Sequence, residues 1–190
     1  MTQVKPGDII GFSGRSWVSA GINLGTYGVP FWSISHVGII ARKPGSNKLL
    51  LFESTEGLGP CEIMGEPICG TQAHELDFVL DQYSGAAWHY PLYRALYRHE
   101  DIRLTCFLLD TIGREYDYHG AIRAGGFVVS SMLGMFVQQA TDLLFCSEWA
   151  ASAHSVVGIL QTGNVSAWSP NFLCRYERWK GILARPRRMK

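Results

Sequence analysis

Apolar and polar positions change their period several times along the 190 residues, and each change marks an element. "PGDIIGF" sets a short apolar run behind a Pro-Gly turn, which predicts a strand over Asp8–Phe12. "RSWVSAGINLG" carries Trp17 and Ile22 among small residues and stops at Gly25, a short helix; "TYGVPFWSIS" after it reads as loop. "SHVGIIAR" and "LLLFEST" flank the turn signal "KPGSNK", so residues 35–55 predict a β-hairpin. Residues 56–75, rich in Gly and Pro, read as irregular, and "HELDFVLDQY" and "AAWHYPLYRAL" as further strands.

In "EDIRLTCFLLDTIG", Ile102, Cys106, Leu109 and Ile112 fall near one helical face, with Gly113 as the stop. "REYDYHG" is a polar connector, and 120–140 is apolar, small-residue-rich and expected to be helical. Trp149, Ala150, Ala153, Val157 and Leu160 recur at helical spacing behind Cys146, so a helix is expected to begin near Cys146. "NVSAWSPNFL" returns to loop, and "RPRRMK" reads as a solvated, frayed end.

Composition bounds the class. Apolar residues make up 47% and charged residues 17%, a globular balance with a core of useful size in a single domain over 1–190. A formal net charge of +1 gives no global argument for nucleic acid or for an anionic membrane. No signal peptide is visible, and the longest apolar stretch, "GGFVVSSMLGMFV", falls short of the roughly 20 residues a bilayer span needs. A soluble, cytoplasmic protein without stable membrane insertion is the expectation. Five cysteines at 61, 69, 106, 146 and 174 make an odd, irregular set that suits a reducing compartment better than a disulfide framework. The sequon "NVS" carries weight only in a secreted chain.

Cys146 in "DLLFCSEWAAS" draws the chemical argument. A thiolate is the nucleophile, and a helix N-terminus favours it through unpaired N–H groups and the helix dipole. The same N–H groups suit the oxyanion of a tetrahedral intermediate. Such a cysteine needs a base, and the base an orienting partner. His36 opens the first hairpin strand and Glu53 lies near the end of the second. With the turn centred between Gly45 and Ser46, Gly38 faces Glu53 and His36 is its diagonal neighbour on the same face; a centre one residue earlier sets His36 directly opposite Glu53. An odd-length loop would put the two on opposite faces. Glu148 reads as a first-turn acid that complements the helix dipole.

"PGDII", "SHVGII", "FEST", "GREYD", "FCSEWAA" and "SPNFL", in this order, resemble the circularly permuted branch of the NlpC-type papain-like hydrolases, the YiiX-like amidases. In that branch the histidine strand precedes the cysteine helix, as His36 precedes Cys146 here by 110 residues. The resemblance spans roughly residues 5–175. It implies an α+β permuted papain-like fold in which an antiparallel sheet packs on the cysteine-bearing helix. It further implies Cys146 as nucleophile, His36 as base and Glu53 as third member, with Tyr116 and Ser147 at the oxyanion or substrate. The implied activity is a thiol hydrolase cleaving an amide bond through an acyl-enzyme. Its substrate would be a peptide, a peptidoglycan peptide or a lipid amide, with no cofactor and no nucleic acid partner. Asp8 matches a motif position without a catalytic role. The apolar stretch at about 119–141 is an insertion relative to the family pattern.

Two rival readings use the same residues. An acyltransferase or lipid-directed esterase would use the insertion as an acyl site, and the lecithin:retinol acyltransferase group has the same histidine-before-cysteine order. A non-catalytic binding module would keep only the scaffold. Cys61, Cys69 and His74 are spaced C-x7-C-x4-H, which does not fit a structural zinc knuckle, and no metal is expected. Cys106 and Cys174 read as core residues. There is no Gly-rich phosphate loop, G-x-S-x-G or H-E-x-x-H.

Overall fold

Both hydrophobic runs of the predicted hairpin are buried almost end to end, because the sheet they enter is covered on both faces. The computed structural model describes residues 3–14, 34–114, 137–161 and 168–190, with backbone alone for 56–57 and 137–145. The strands are β1 (Ile9–Ser13), β2 (His36–Arg42), β3 (Leu49–Pro60), β4 (Pro67–His74), β5 (Ala86–Tyr90) and β6 (Arg187–Arg188). They form one sheet in the order β4-β3-β2-β1-β5-β6, antiparallel throughout. The helices among the described residues are α1 (Leu76–Gln82), α2 (Arg98–Asp110), α3 (Val137–Val157) and α4 (Pro170–Trp179). The architecture is therefore α+β.

Alternation sorts the strand residues. Ile9, Val37, Ile39, Leu50, Phe52 and Ala73 join Leu104 and Leu108 of α2 and Ala150 and Ala153 of α3 in the main core. Ile10, Phe12, Ile40, Leu51 and Ala87 form a smaller core with Val79 of α1. The β2–β3 turn is even: Arg42 pairs with Leu49 and Gly38 with Glu53. The Lys43 N–H donates to the Lys48 carbonyl at 2.8 Å, and Gly45 takes the left-handed φ of 69° that the turn needs.

Several expectations are corrected. Residues 56–75 are not irregular: they complete β3 and form β4, joined by a turn in which the Gly65 N–H donates to the Cys61 carbonyl at 2.7 Å. Prolines are tolerated because Pro60 and Pro67 pair at the far end of the hairpin and β4 is an edge strand. "LDFVL" is helical, not a strand; Val79 lies buried on the sheet three residues after the half-buried Leu76, a helical spacing. α2 exists but is rotated from the expected phase. Leu104 and Leu108 are buried, whereas Ile102 is 54% exposed and Cys106 is exposed rather than core. Gly113 ends its turn at φ 69° and donates its N–H to the Thr71 carbonyl. "SPNFL" opens α4: Ser169 caps it, its Oγ accepting from the Phe172 N–H, with Pro170 in the first turn. Residues 187–188 are β6, held against Trp88 and His89. The short helix expected before Gly25 and residues 119–136 of the apolar insertion lie outside the described residues. No helix among those described is long and apolar enough to cross a membrane.

Candidate functional site

The even turn sets His36 and Glu53 on the same side of the β2–β3 pair, one step apart on the diagonal. Gly38, the direct partner of Glu53, leaves open the ground the carboxylate crosses. A Cβ there would meet the Phe52 carbonyl oxygen at 2.8 Å and the Glu53 Cβ at 3.2 Å. His36 Nε2 and Glu53 Oε2 come to 2.8 Å. The carboxylate is 2% exposed and the imidazole 18% exposed. The Phe12 ring lies beside the imidazole, centroids 5.7 Å apart, and the Tyr83 ring backs Phe12 at 4.8 Å.

The Cys146 thiol lies against His36 and hydrogen-bonds with it. By strand alternation His36 belongs with Phe12, on the side of the smaller core, while Cys146 sits in the main core. They meet because His36 is the first residue of β2, where that strand no longer separates the two sides. Burial alone would lower the pKa of His36. The adjacent Cys146 sulfur, through charge and hydrogen bond, and then Glu53 outweigh it, and the imidazole is raised to about 10.

The environment of Cys146 differs from the expected one. α3 begins at Val137, so Cys146 is the tenth helical residue and not at the N-terminus. Inside an α-helix the N–H bonds the carbonyl four residues back, so the Cys146 N–H is spoken for and the dipole argument does not apply. The sulfur is fully buried. Ser147 is buried as well, and its hydroxyl donates to the Trp168 carbonyl. Glu148 sits within α3 rather than in a first turn. Tyr116 lies outside the described residues.

Two further histidine–carboxylate pairs provide an internal comparison. His89 Nε2 lies 2.6 Å from Asp8 Oδ2, and Asp8 Oδ1 accepts from the Leu92 N–H, which gives the "PGDII" aspartate a structural role. His154 Nδ1 lies 2.8 Å from Glu177 Oε1, and its Nε2 lies 3.0 Å from the Gly7 carbonyl oxygen. Both of those imidazoles are sealed inside, at 2% and 0% exposure. His36 alone of these three combines a carboxylate, a thiol and partial access to solvent.

Of the other cysteines, Cys174 is a core thiol whose pKa burial pushes well up, and Cys61 is buried with its sulfur accepting from the Ala73 N–H. Cys69 is exposed, and no three His, Cys, Asp or Glu side chains among the described residues are placed to hold a metal ion. Sequence reasoning missed Gly38, Phe12, Tyr83 and Gln72. Gln72 is the cross-strand partner of Glu53, and its side-chain amide donates to the Thr55 carbonyl at 2.7 Å. Gln72 could have been found only by pairing β4, which the glycine and proline content concealed. No family model matches the chain, and a search of curated proteins returns no match.

Proposed function

We propose that the protein is a thiol hydrolase that cleaves amide bonds on a permuted papain-like scaffold, with Cys146, His36 and Glu53 as its reacting set. The observation that carries the reading is the position of His36, bonded to the Glu53 carboxylate and in contact with a cysteine 110 residues further along the chain. With Nε2 on the carboxylate, Nδ1 is the nitrogen left for the thiol. The imidazolium stabilises the thiolate, which attacks the substrate carbonyl carbon. The C–N bond breaks as the imidazolium gives its proton to the departing amine. Neutral His36 then takes a proton from water, whose oxygen attacks the thioester and releases the acid. Glu53 fixes the ring and offsets its charge throughout. The Cys146 N–H is committed to its helix, so the oxyanion donor is a group other than that N–H. The partly open His36 ring marks the side from which substrate approaches. Peptide, peptidoglycan-peptide and lipid-amide carbonyls are the substrate classes this chemistry serves.

The second reading is a non-catalytic protein in which Cys146 is a core thiol. Its complete burial in mid-helix favours that view. Alkylation by iodoacetamide with peptide mapping separates the two, because exposed Cys69 and Cys106 serve as references in the same sample. The hydrolase reading expects native-state modification of Cys146, slowed about tenfold or more in His36→Ala. Modification of Cys146 only on unfolding, together with Cys61 and Cys174, would overturn it. A panel of peptide amides and fatty-acyl esters then tells an amidase from an acyltransferase or esterase.

A further inference from the structure

We propose that the outward face of α4 is a docking surface for an anionic lipid bilayer. The inner side of this helix buries Leu173, Cys174 and Glu177. Its outer side carries an aromatic stripe at helical spacing, Phe172, Tyr176 and Trp179, with Phe172–Tyr176 centroids 5.7 Å and Tyr176–Trp179 centroids 5.9 Å apart. Phe172 is 47% and Trp179 76% exposed, a large apolar display for one short helix. Cations flank the stripe. Arg175 is exposed on one edge, and on the other Lys180 lies with its Nζ 4.7 Å from the Trp179 ring centroid.

The charge balance points the same way. Residues 175–190 hold seven of the seventeen Lys and Arg but one of the sixteen Asp and Glu, so the rest of the chain has ten bases against fifteen acids. That single acid, Glu177, is turned inward onto His154 and is 0% exposed. The charge this segment shows to solvent is therefore wholly positive, on a protein whose net charge is +1. Tryptophan and tyrosine settle at the headgroup level of a bilayer, and neighbouring Lys and Arg gain from its negative surface. Aromatic and basic side chains also suit single-stranded nucleic acid. What favours lipid is the ground beside the helix end: a cleft of about 330 Å³ in which Leu92, Leu96, Ile159 and Ile182 stand beside Tyr93 and Arg94. The aliphatic walls fit acyl chains, and the one cation of the cleft, Arg94, is already held by both oxygens of the Glu100 carboxylate rather than left for a phosphodiester. The surface is independent of the chemistry at His36.

Co-sedimentation of the full chain with phosphatidylcholine vesicles, with and without about one third phosphatidylglycerol, tests the proposal. Binding is expected to the anionic vesicles alone and to weaken as salt is raised. Arg175→Gln with Lys180→Gln should lower the anionic partition about tenfold or more, and Trp179→Ala should lower it with the charge intact. These side chains are exposed, so unchanged melting is the folding control. The wild-type comparison of the two vesicle types needs no variant. Equal partition to both vesicles, no partition to either, or binding of a single-stranded oligonucleotide in place of vesicles would overturn the proposal.

Discussion

Glu53 bonds His36 on the diagonal, across Gly38, rather than from the directly opposed position. The carboxylate therefore depends on a residue with no side chain. Gly38→Ala puts a methyl group 2.8 Å from the Phe52 carbonyl oxygen, a backbone atom that cannot swing away. The expected cost is about 1–3 kcal/mol of stability, read from urea unfolding, together with slower alkylation of Cys146.

Glu53→Gln keeps the shape and removes the charge. His36 then loses the coulombic help of the carboxylate, and its NMR titration midpoint should fall from about 10. The sign follows from linkage. An imidazole raised in the fold contributes stability in full below its ordinary 6.5, and that stability is lost as pH climbs through about 10. In Glu53→Gln the alkaline decline of the urea midpoint should begin at lower pH. An unchanged midpoint would mean that the carboxylate does not govern the ring.

His154 meets an acceptor at each nitrogen, the Glu177 carboxylate and the Gly7 carbonyl, so both nitrogens must donate and the buried ring carries a proton. Burial opposes this, but Glu177, Gly7 and Asp8 outweigh it, and the pKa is raised. This contribution too is complete below 6.5 and is lost at alkaline pH. His154→Gln leaves Glu177 buried without its cation, at an expected cost of about 3–5 kcal/mol. Adding Glu177→Gln should cost less than the sum of the two single changes, a coupling that a double-mutant cycle measures.

Removing residues 185–190 should destabilise the sheet rather than trim a loose end. The Met189 N–H donates to the Ala87 carbonyl at 2.9 Å, and Lys190 Nζ reaches the Leu80 and Tyr83 carbonyls at 2.6 Å. Their loss uncovers β5, and a thermal melt should show about 1–3 kcal/mol less stability.

The His36–Glu53 relationship was legible up to one choice, because it rests on counting: the two runs share a face only if the Pro-Gly turn between them is even, and the register of β2 with β3 supplies that parity. The setting of Cys146 was not legible. The residues before it are as apolar as those after it, and no Ser, Asp or Gly punctuates 143–145, so nothing in the pattern separates a helix start at 146 from one at 137. α1 was misread because "LDFVL" fits the two-residue period nearly as well as the helical one. The phase of α2 was read from Ile102, Cys106, Leu109 and Ile112, of which Ile102 and Cys106 are exposed. The structure instead anchors that helix through Glu100, which takes the Tyr97 N–H at 2.8 Å and both Arg94 nitrogens at 2.6 Å. "RPRRMK" reads as a frayed end because a single short basic run at a terminus is usually solvated. Pairing with β5 holds Arg187 and Arg188 in the sheet instead.

The bond between His154 and the Gly7 carbonyl joins positions 147 residues apart, while β1, two residues beyond Gly7, lies in the sheet between β2 and β5. β1 is therefore not fixed by its strand neighbours alone but also by a helix far along the chain. Closures of such long range raise the contact order, and folding is expected to be slower than for a fold of local contacts.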